Sequence, residues 1–227
     1  MGVAAGPNIV RESLAIAFDT DSEKSYPGSG SSIKNLINNA YGTLSGSPTF
    51  DALKNNTLNF NGTSQRMALG TNVSMSPVGF TVCMCINVAD SQSSSGWNYW
   101  FLQNANDGHK YEFGTYGTGG NNFHFKDNYS ASPSSVNANM GTGFSVLHFG
   151  STSSSKSFYS VNGASKSLSS GTTGWTGGND IIFDEFFYNG SSSYYAASVG
   201  NILVYSKELS DAEITQNYNA LKTRFDI

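Results

Sequence analysis

Phe80-Thr81-Val82-Cys83-Met84-Cys85-Ile86-Asn87-Val88 is the stretch on which the fold turns. Side chains alternate along a strand, so Phe80, Val82, Met84, Ile86 and Val88 face one way and Thr81, Cys83, Cys85 and Asn87 the other. One wholly apolar face and one mixed face describe a long strand inside a sandwich of two sheets. Upstream, Glu12 to Asp19 repeats the pattern, with Leu14, Ile16 and Phe18 on one side. Further strands are expected at Thr57–Phe60, Arg66–Leu69, Tyr99–Gln103, Lys110–Tyr116, Asn122–Lys126, Phe144–Gly150, Ser157–Val161, Ile181–Tyr188 and Ser198–Tyr205. About ten to thirteen short strands, punctuated by Gly, Asn and Ser, indicate an antiparallel sandwich rather than βαβ units. Asn162-Gly163, at the end of the Ser157–Val161 strand, predicts a type I′ turn, whose two central residues need positive φ.

One helix is marked. Ser210 and Glu213 form an S-x-x-E capping box, with Leu209 and Ile214 placed as a hydrophobic staple. Ile214, Tyr218, Leu221 and Phe225 recur at helical spacing and make one apolar stripe. The pattern predicts a helix over residues 211–224 that docks on the sandwich. Residues 1–8 read as an N-terminal extension and 9–227 as a single domain, since sandwiches of about 200–250 residues commonly fold as one unit.

Composition agrees. The 227 residues include 15 Phe, 12 Tyr, 3 Trp and 25 Gly, and only 12% are charged. Aromatic residues suit pleated sheets, and Gly and Asn supply turns. A net charge of −4 with scattered Lys and Arg argues against nucleic acid and against a polybasic membrane surface. No basic segment followed by an apolar run opens the sequence, and no long apolar stretch follows, so neither a secretory leader nor a membrane span is expected. Cys83 and Cys85 would hold their Cα atoms about 6.6 Å apart with parallel side chains, a poor disulfide geometry. They read as small buried side chains in a reducing compartment.

Catalytic constellations do not emerge. His124 and His148 alternate against aromatic neighbours within strands and read as histidines satisfied by hydrogen bonds on a sheet face. There is no Gly-x-Ser-x-Gly elbow, no Walker A loop and no Gly-x-Gly-x-x-Gly. Glycoside hydrolysis needs two carboxyls about 5–9 Å apart. Asp184 and Glu185 are adjacent on a strand and so diverge, whereas Asp211 and Glu213 fall in the first helical turn. The expectation is a protein that is not an enzyme and needs no cofactor.

Two binding readings remain. Asp19, Asp21 and Glu23 alternate as calcium ligands do, but Lys24 and Gly30 stand where an EF-hand needs Gly and Glu. The alternative is a solvated turn whose Asp side chains bond nearby amides. For carbohydrate, loop-adjacent aromatics could stack on sugar rings beside amide and hydroxyl groups. Trp97, Tyr99, Trp175 and Tyr194 are the candidates, against the commoner fate of aromatics in a sandwich, which is the core.

Several motifs carry a resemblance. Ile9-Val10-Arg11-Glu12-Ser13-Leu14-Ala15-Ile16-Ala17-Phe18-Asp19 with Ser25-Tyr26-Pro27-Gly28-Ser29-Gly30 forms the opening. Leu58-Asn59-Phe60-Asn61-Gly62-Thr63 and Tyr159-Ser160-Val161-Asn162-Gly163 follow. Ile202-Leu203-Val204-Tyr205, Leu209-Ser210-Asp211-Ala212-Glu213-Ile214 and Asn217-Tyr218-Asn219-Ala220 close the pattern. Together they resemble the laminin-G-like, concanavalin-A-like lectin jelly rolls of tailed-phage virion proteins, over about residues 9–225. The central strand lacks the usual Trp, with Met84 and Cys85 in that region. Asn35-Leu36 replaces an aspartate-leucine pair, which weakens the expectation of a polar contact there. The resemblance implies an all-β, two-sheet antiparallel jelly-roll sandwich. It also implies a non-catalytic virion structural protein on the particle surface, as capsid decoration, fibre or adhesin. Its partners would be other capsid or tail proteins, and a homo-oligomer is left open. The second reading is a lectin module for host cell-surface polysaccharide.

Overall fold

The computed structural model describes residues 8–52, 55–76, 78–88, 97–104, 110–116, 122–127, 135–171, 181–186, 196–225 and 227. Sixteen strands lie among them. They are β1 (Leu14–Asp19), β2 (Ser32–Lys34), β3 (Tyr41–Ser45), β4 (Thr49–Asp51), β5 (Thr57–Asn61), β6 (Arg66–Met75), β7 (Phe80–Val88) and β8 (Trp97–Asn104). Then come β9 (Lys110–Tyr116), β10 (Asn122–Asp127), β11 (Ser135–Asn139), β12 (Ser145–Ser151), β13 (Ser157–Val161), β14 (Ser167–Leu168), β15 (Ile181–Phe186) and β16 (Ala196–Tyr205). A helix α1 (Asp211–Leu221) and a 3₁₀ turn (Lys222–Arg224) follow.

The strands form two antiparallel layers. The first runs β14-β13-β12-β7-β16-β5-β4, with β1 also paired to β16. The second consists of the ladders β2-β3-β6-β15 and β8-β9-β10-β11, which meet where β15 runs beside β8. This is the all-β jelly-roll sandwich with a short C-terminal helix. The sequence signal missed β2, β3, β4, β11 and β14, which span only two to five residues each. So few residues hardly establish an alternation.

The strand that opened the sequence reading is central: β7 pairs with β12 on one side and β16 on the other. Its Phe80, Val82, Met84, Ile86 and Val88 all enter the core between the layers. Phe125 of β10 reaches in from the second layer, edge-on to Phe80 with centroids 6.3 Å apart and tilted against Phe149 at 5.4 Å. The void left among Phe18, Ile33, Leu58 and Met67 is only about 10 Å³, room for a water molecule at most.

The mixed face of β7 is buried as well. Cys83 and Cys85 lie in a second apolar cluster with Val146, Phe158, Leu203 and Tyr205, covered by Ile214 and Leu221 of α1 and by Phe225. Both predicted cap features are present. Glu213 N–H donates to Ser210 Oγ at 3.3 Å and Ser210 N–H to Glu213 Oε2 at 2.9 Å. Leu209 and Ile214 are both fully buried in the same cluster. The helix ends at Leu221 rather than 224, the last turn tightening to 3₁₀ with Phe225 N–H on Lys222 O. Thr81 Oγ1 accepts from Leu209 N–H and donates to Lys207 O, both at 3.0 Å, fixing the entry to the helix. At the far end Asn217 accepts from Val10 N–H at 2.8 Å and donates to the Tyr205 hydroxyl at 3.1 Å. Gly200, where the β16 register shifts, leaves the space that Phe225 fills: a Cβ there would stand 2.1 Å from that ring.

His148, on β12, faces opposite to Leu147 and Phe149 as alternation requires, directly across from Cys83 and Ser160. The expectation of hydrogen-bonded satisfaction fails. The side chain is fully buried, and neither ring nitrogen has a hydrogen-bond partner among the described residues. Burial lowers its pKa to about 3.

Asn35 corrects the reading of the Asn35-Leu36 departure. Its Oδ1 accepts from Ala17 N–H at 3.0 Å and its Nδ2 donates to Ala15 O at 3.3 Å. One amide thus satisfies both senses of the free edge of β1, opposite β16. A carboxylate could accept but not donate there.

Candidate functional site

The segment from the end of β1 to β2 builds a rim at one end of the sandwich. Ser22 O accepts from Ser25 and Tyr26 N–H, both at 2.8 Å, coiling the chain into a tight turn. Ser25 then ties this turn to two strands. Its Oγ accepts from Asp19 N–H at 3.1 Å and donates to Lys34 O at 2.7 Å, while its carbonyl accepts from Lys34 N–H at 2.8 Å. Gly28 has a φ of 84°, a region L side chains rarely adopt, and lies against the Phe50 ring. Tyr26 packs on the same ring with centroids 5.4 Å apart, and its hydroxyl donates to Gly30 O at 3.2 Å. Gln65 holds the facing wall by donating to Gly46 O and Ser47 O at 3.1 and 2.8 Å.

Three open clefts surround this loop. The largest, about 470 Å³, lies between Gly28–Ser31 and the Ser47–Phe50 wall. A second, about 320 Å³, runs along the outer face of β2 and β3, past Lys24, Lys34 and Tyr41. The smallest, about 170 Å³, lies under Pro27 beside Asp21, Glu23 and Asn56. Hydroxyls, backbone amides, an exposed Tyr41 and a half-buried Phe50 line them. The first two clefts match the lower range of small-molecule sites, about 300–1,000 Å³.

Asp19 and Asp21 are brought together, but on a cation. Arg224 donates to Asp19 Oδ2 from Nη1 at 3.0 Å and to Oδ1 from Nη2 at 2.6 Å, and Nη2 also lies 2.9 Å from Asp21 Oδ2. Burial works against the guanidinium charge, and the two carboxylates outweigh it, so its pKa is raised. Asp21 N–H donates to Asp19 Oδ1 at 3.1 Å, the local amide bond expected of a turn Asp. Glu23 is exposed and takes no part in this cluster. Among the described residues no three His, Cys, Asp or Glu side chains converge to hold a metal. Arg224, the partner that sequence reading missed, follows the apolar stripe of α1 without any motif to mark it.

Of the aromatics singled out for carbohydrate, Trp97 and Tyr99 lie two apart on β8, paired with Tyr116 and Gly114 of β9. Trp175 and Tyr194 lie outside the described residues, as does His109. Among the carboxylates, Glu213 serves the cap and an ion pair to Lys207 at 2.7 Å, and Asp211 accepts from Lys166 N–H at 3.2 Å. The β15 ladder shifts register between Phe183 and Glu185, at the Asp184-Glu185 pair. Both cysteines are free and buried, and burial pushes both thiols well above their ordinary range. No helix among the described residues is long and apolar enough to cross a membrane.

No protein-family model matches the chain, and no curated protein resembles it in sequence. Solved structures do resemble it. A botulinum neurotoxin type C structure, described with a cell entry that depends on two ganglioside molecules, superposes with a TM-score of 0.62 at 13% identity, over 92% of this chain and 51% of that one. Trypanosoma rangeli sialidase bound to the inhibitor DANA gives 0.63 at 12% identity, over 99% and 35%. The binding domain of botulinum neurotoxin DC in complex with SialylT gives 0.61 at 12%, over 92% and 52%. The chain therefore spans about half of the toxin chains and about a third of the sialidase. At these identities the likeness is one of fold: this chain is a two-sheet antiparallel jelly-roll sandwich.

Proposed function

We propose that this protein is a non-catalytic, lectin-like module that binds carbohydrate at the rim of its sandwich. The observation that carries the reading is the set of three open clefts around one anchored loop, lined by hydroxyls, backbone amides and partly exposed aromatic rings. Such a surface offers stacking faces and hydrogen-bond partners on a base already fixed by Ser25 and Gln65. The similar structures support the chemistry, since those proteins are described with gangliosides, sialic acid or SialylT. The aromatics singled out in the sequence, Trp97, Tyr99, Trp175 and Tyr194, are further candidates for the same role.

The setting we propose is the exterior of a virion of the tailed-phage type, with capsid or tail proteins as anchoring partners. The motifs at both ends of the chain support it. A calcium role for Asp19, Asp21 and Glu23 would require Arg224 to give up its bidentate hold. A glycan array with the full chain, with and without calcium, tests the binding reading: selective retention of some oligosaccharides is expected, and uniform absence of binding in both conditions overturns it. Mass spectrometry of purified particles from the source tests the setting, with the chain expected at stoichiometric copy number.

A further inference from the structure

We infer that the cleft between the Lys24–Ser32 segment and β3 selects saccharides that carry an anionic group, a carboxylate or a sulfate, with Tyr41 as the stacking face and Lys34 and Lys24 as the anion's partners. This rests on the carbohydrate-binding reading above and assigns its site and specificity.

The placement comes from the β2–β3 pairing. Lys34 and Tyr41 are directly opposed in the ladder. Cross-strand partners hold their Cβ atoms about 4.5–5.5 Å apart on one face of the sheet. Ile33 turns into the core between the layers, which leaves Ser32 and Lys34 on the outer face. On β3, Leu44 is buried while Tyr41 and Thr43 are exposed, so the ring and the ammonium stem share that outer face. Tyr41 is 59% exposed, an unusual position for a large ring. Lys24 approaches from the loop, and Ser29, Ser31 and Ser32 add hydroxyls along the same 320 Å³ cleft.

Charge decides the ligand class. Three cations are matched by acids: Arg224 by Asp19 and Asp21, Lys207 by Glu12 and Glu213, Lys166 by Glu208. Lys24 and Lys34 have no acidic partner among the described residues. Glu23 is the one acid lining this cleft among the described residues, so there two cations face one anion, in a chain whose net charge is −4. An anionic substituent on a sugar stacked against Tyr41 would complete the match, and an ammonium–anion hydrogen bond contributes more than a neutral one. The serine hydroxyls can serve the uncharged ring oxygens.

The test uses the full chain against matched neutral, carboxylated and sulfated oligosaccharides at low and high salt. Binding of one anionic class at least about tenfold above neutral sugars is expected, weakening as salt rises. Lys34→Gln and Tyr41→Ala should each weaken it about tenfold, the size of one charge-assisted bond or one stacked ring. Tyr41→Phe, which keeps the ring, should restore most of the binding that Tyr41→Ala loses. The carboxylated and sulfated arms identify the anion. Binding to neutral sugars that ignores these substitutions overturns the assignment and leaves the carbohydrate reading standing. Failure of the parent to bind any sugar overturns both.

Discussion

The two faces of the central sheet are buried by different means. The inner face of β7, β12 and β16 is apolar apart from Ser145 and Ser151 at the two ends of β12, and meets a second layer of strands. The outer face mixes Cys83, Cys85 and Phe158 with Thr81, His148 and Ser160, and meets one helix. A polar group taken from water needs a partner. Thr81 has Leu209 and Lys207, Ser160 has Ala164 O, and Asn217 has Val10 and Tyr205. His148 has none. Inner-face stability is thus a matter of volume and shape, whereas outer-face stability is also a matter of hydrogen bonds and protonation.

Substitutions can break or sharpen that contrast. Phe149→Ala on the inner face removes a fully buried ring between Phe125 and β7. It should cost about 3–5 kcal/mol, read as a lowered denaturant midpoint with unchanged slope and with no dependence on mildly acidic pH.

His148 should give the outer face a pH dependence. Its folded pKa of about 3 lies below the roughly 6.5 of an unfolded histidine. The unfolded chain therefore takes up the proton first. Stability is complete above about pH 6.5, falls as pH drops through that value, and continues to fall towards the folded pKa. At pH 5 the loss should be about 2 kcal/mol, a thirtyfold shift in the unfolding equilibrium. Unfolding curves from neutral to mildly acidic pH check this, with His148→Leu expected to flatten the slope. An equal slope in both proteins would remove His148 from the account.

Ser210→Ala, which deletes the helix cap, should cost about 1 kcal/mol. Amide exchange should quicken in α1 while the inner strands stay protected, because the helix opens without the sandwich.

Much of this was legible in the sequence. The alternation of Phe80 to Val88, the Ser210/Glu213 box with its staple, and the Asn162-Gly163 turn, whose φ values are 51° and 75°, are local patterns with local causes. The rim was not legible. Its walls come from residues 23–34 and 41–50, rich in Gly, Ser and Pro, which carry no periodicity, and only the β2–β3 pairing sets Lys34 against Tyr41. Arg224 was hidden for the same reason, since its carboxylate partners lie some two hundred residues away. His148 was placed on the correct face, but the absence of a partner depends on what covers that face. Asn35 gave the opposite lesson: the departure from the aspartate-leucine pair of the resembled jelly rolls makes the polar contact through both the oxygen and the nitrogen of its amide.

The position of β16 has a consequence for how the chain folds. Among the described residues β1 pairs only with β16, and β16 also separates β5 from β7 in the first layer. On a ribosome, residues 14–19 must wait for residues 201–205 before their ladder can close, and the outer cluster waits longer still for Ile214 and Phe225. Pairings at such sequence separation place the protein among slow folders, on the millisecond-to-second scale or beyond. Until residues 201–205 have been made, the edge of β1 that β16 will take stays open to other strands, so expression yield should depend on chaperones or low temperature more than the stability of the finished sandwich would suggest.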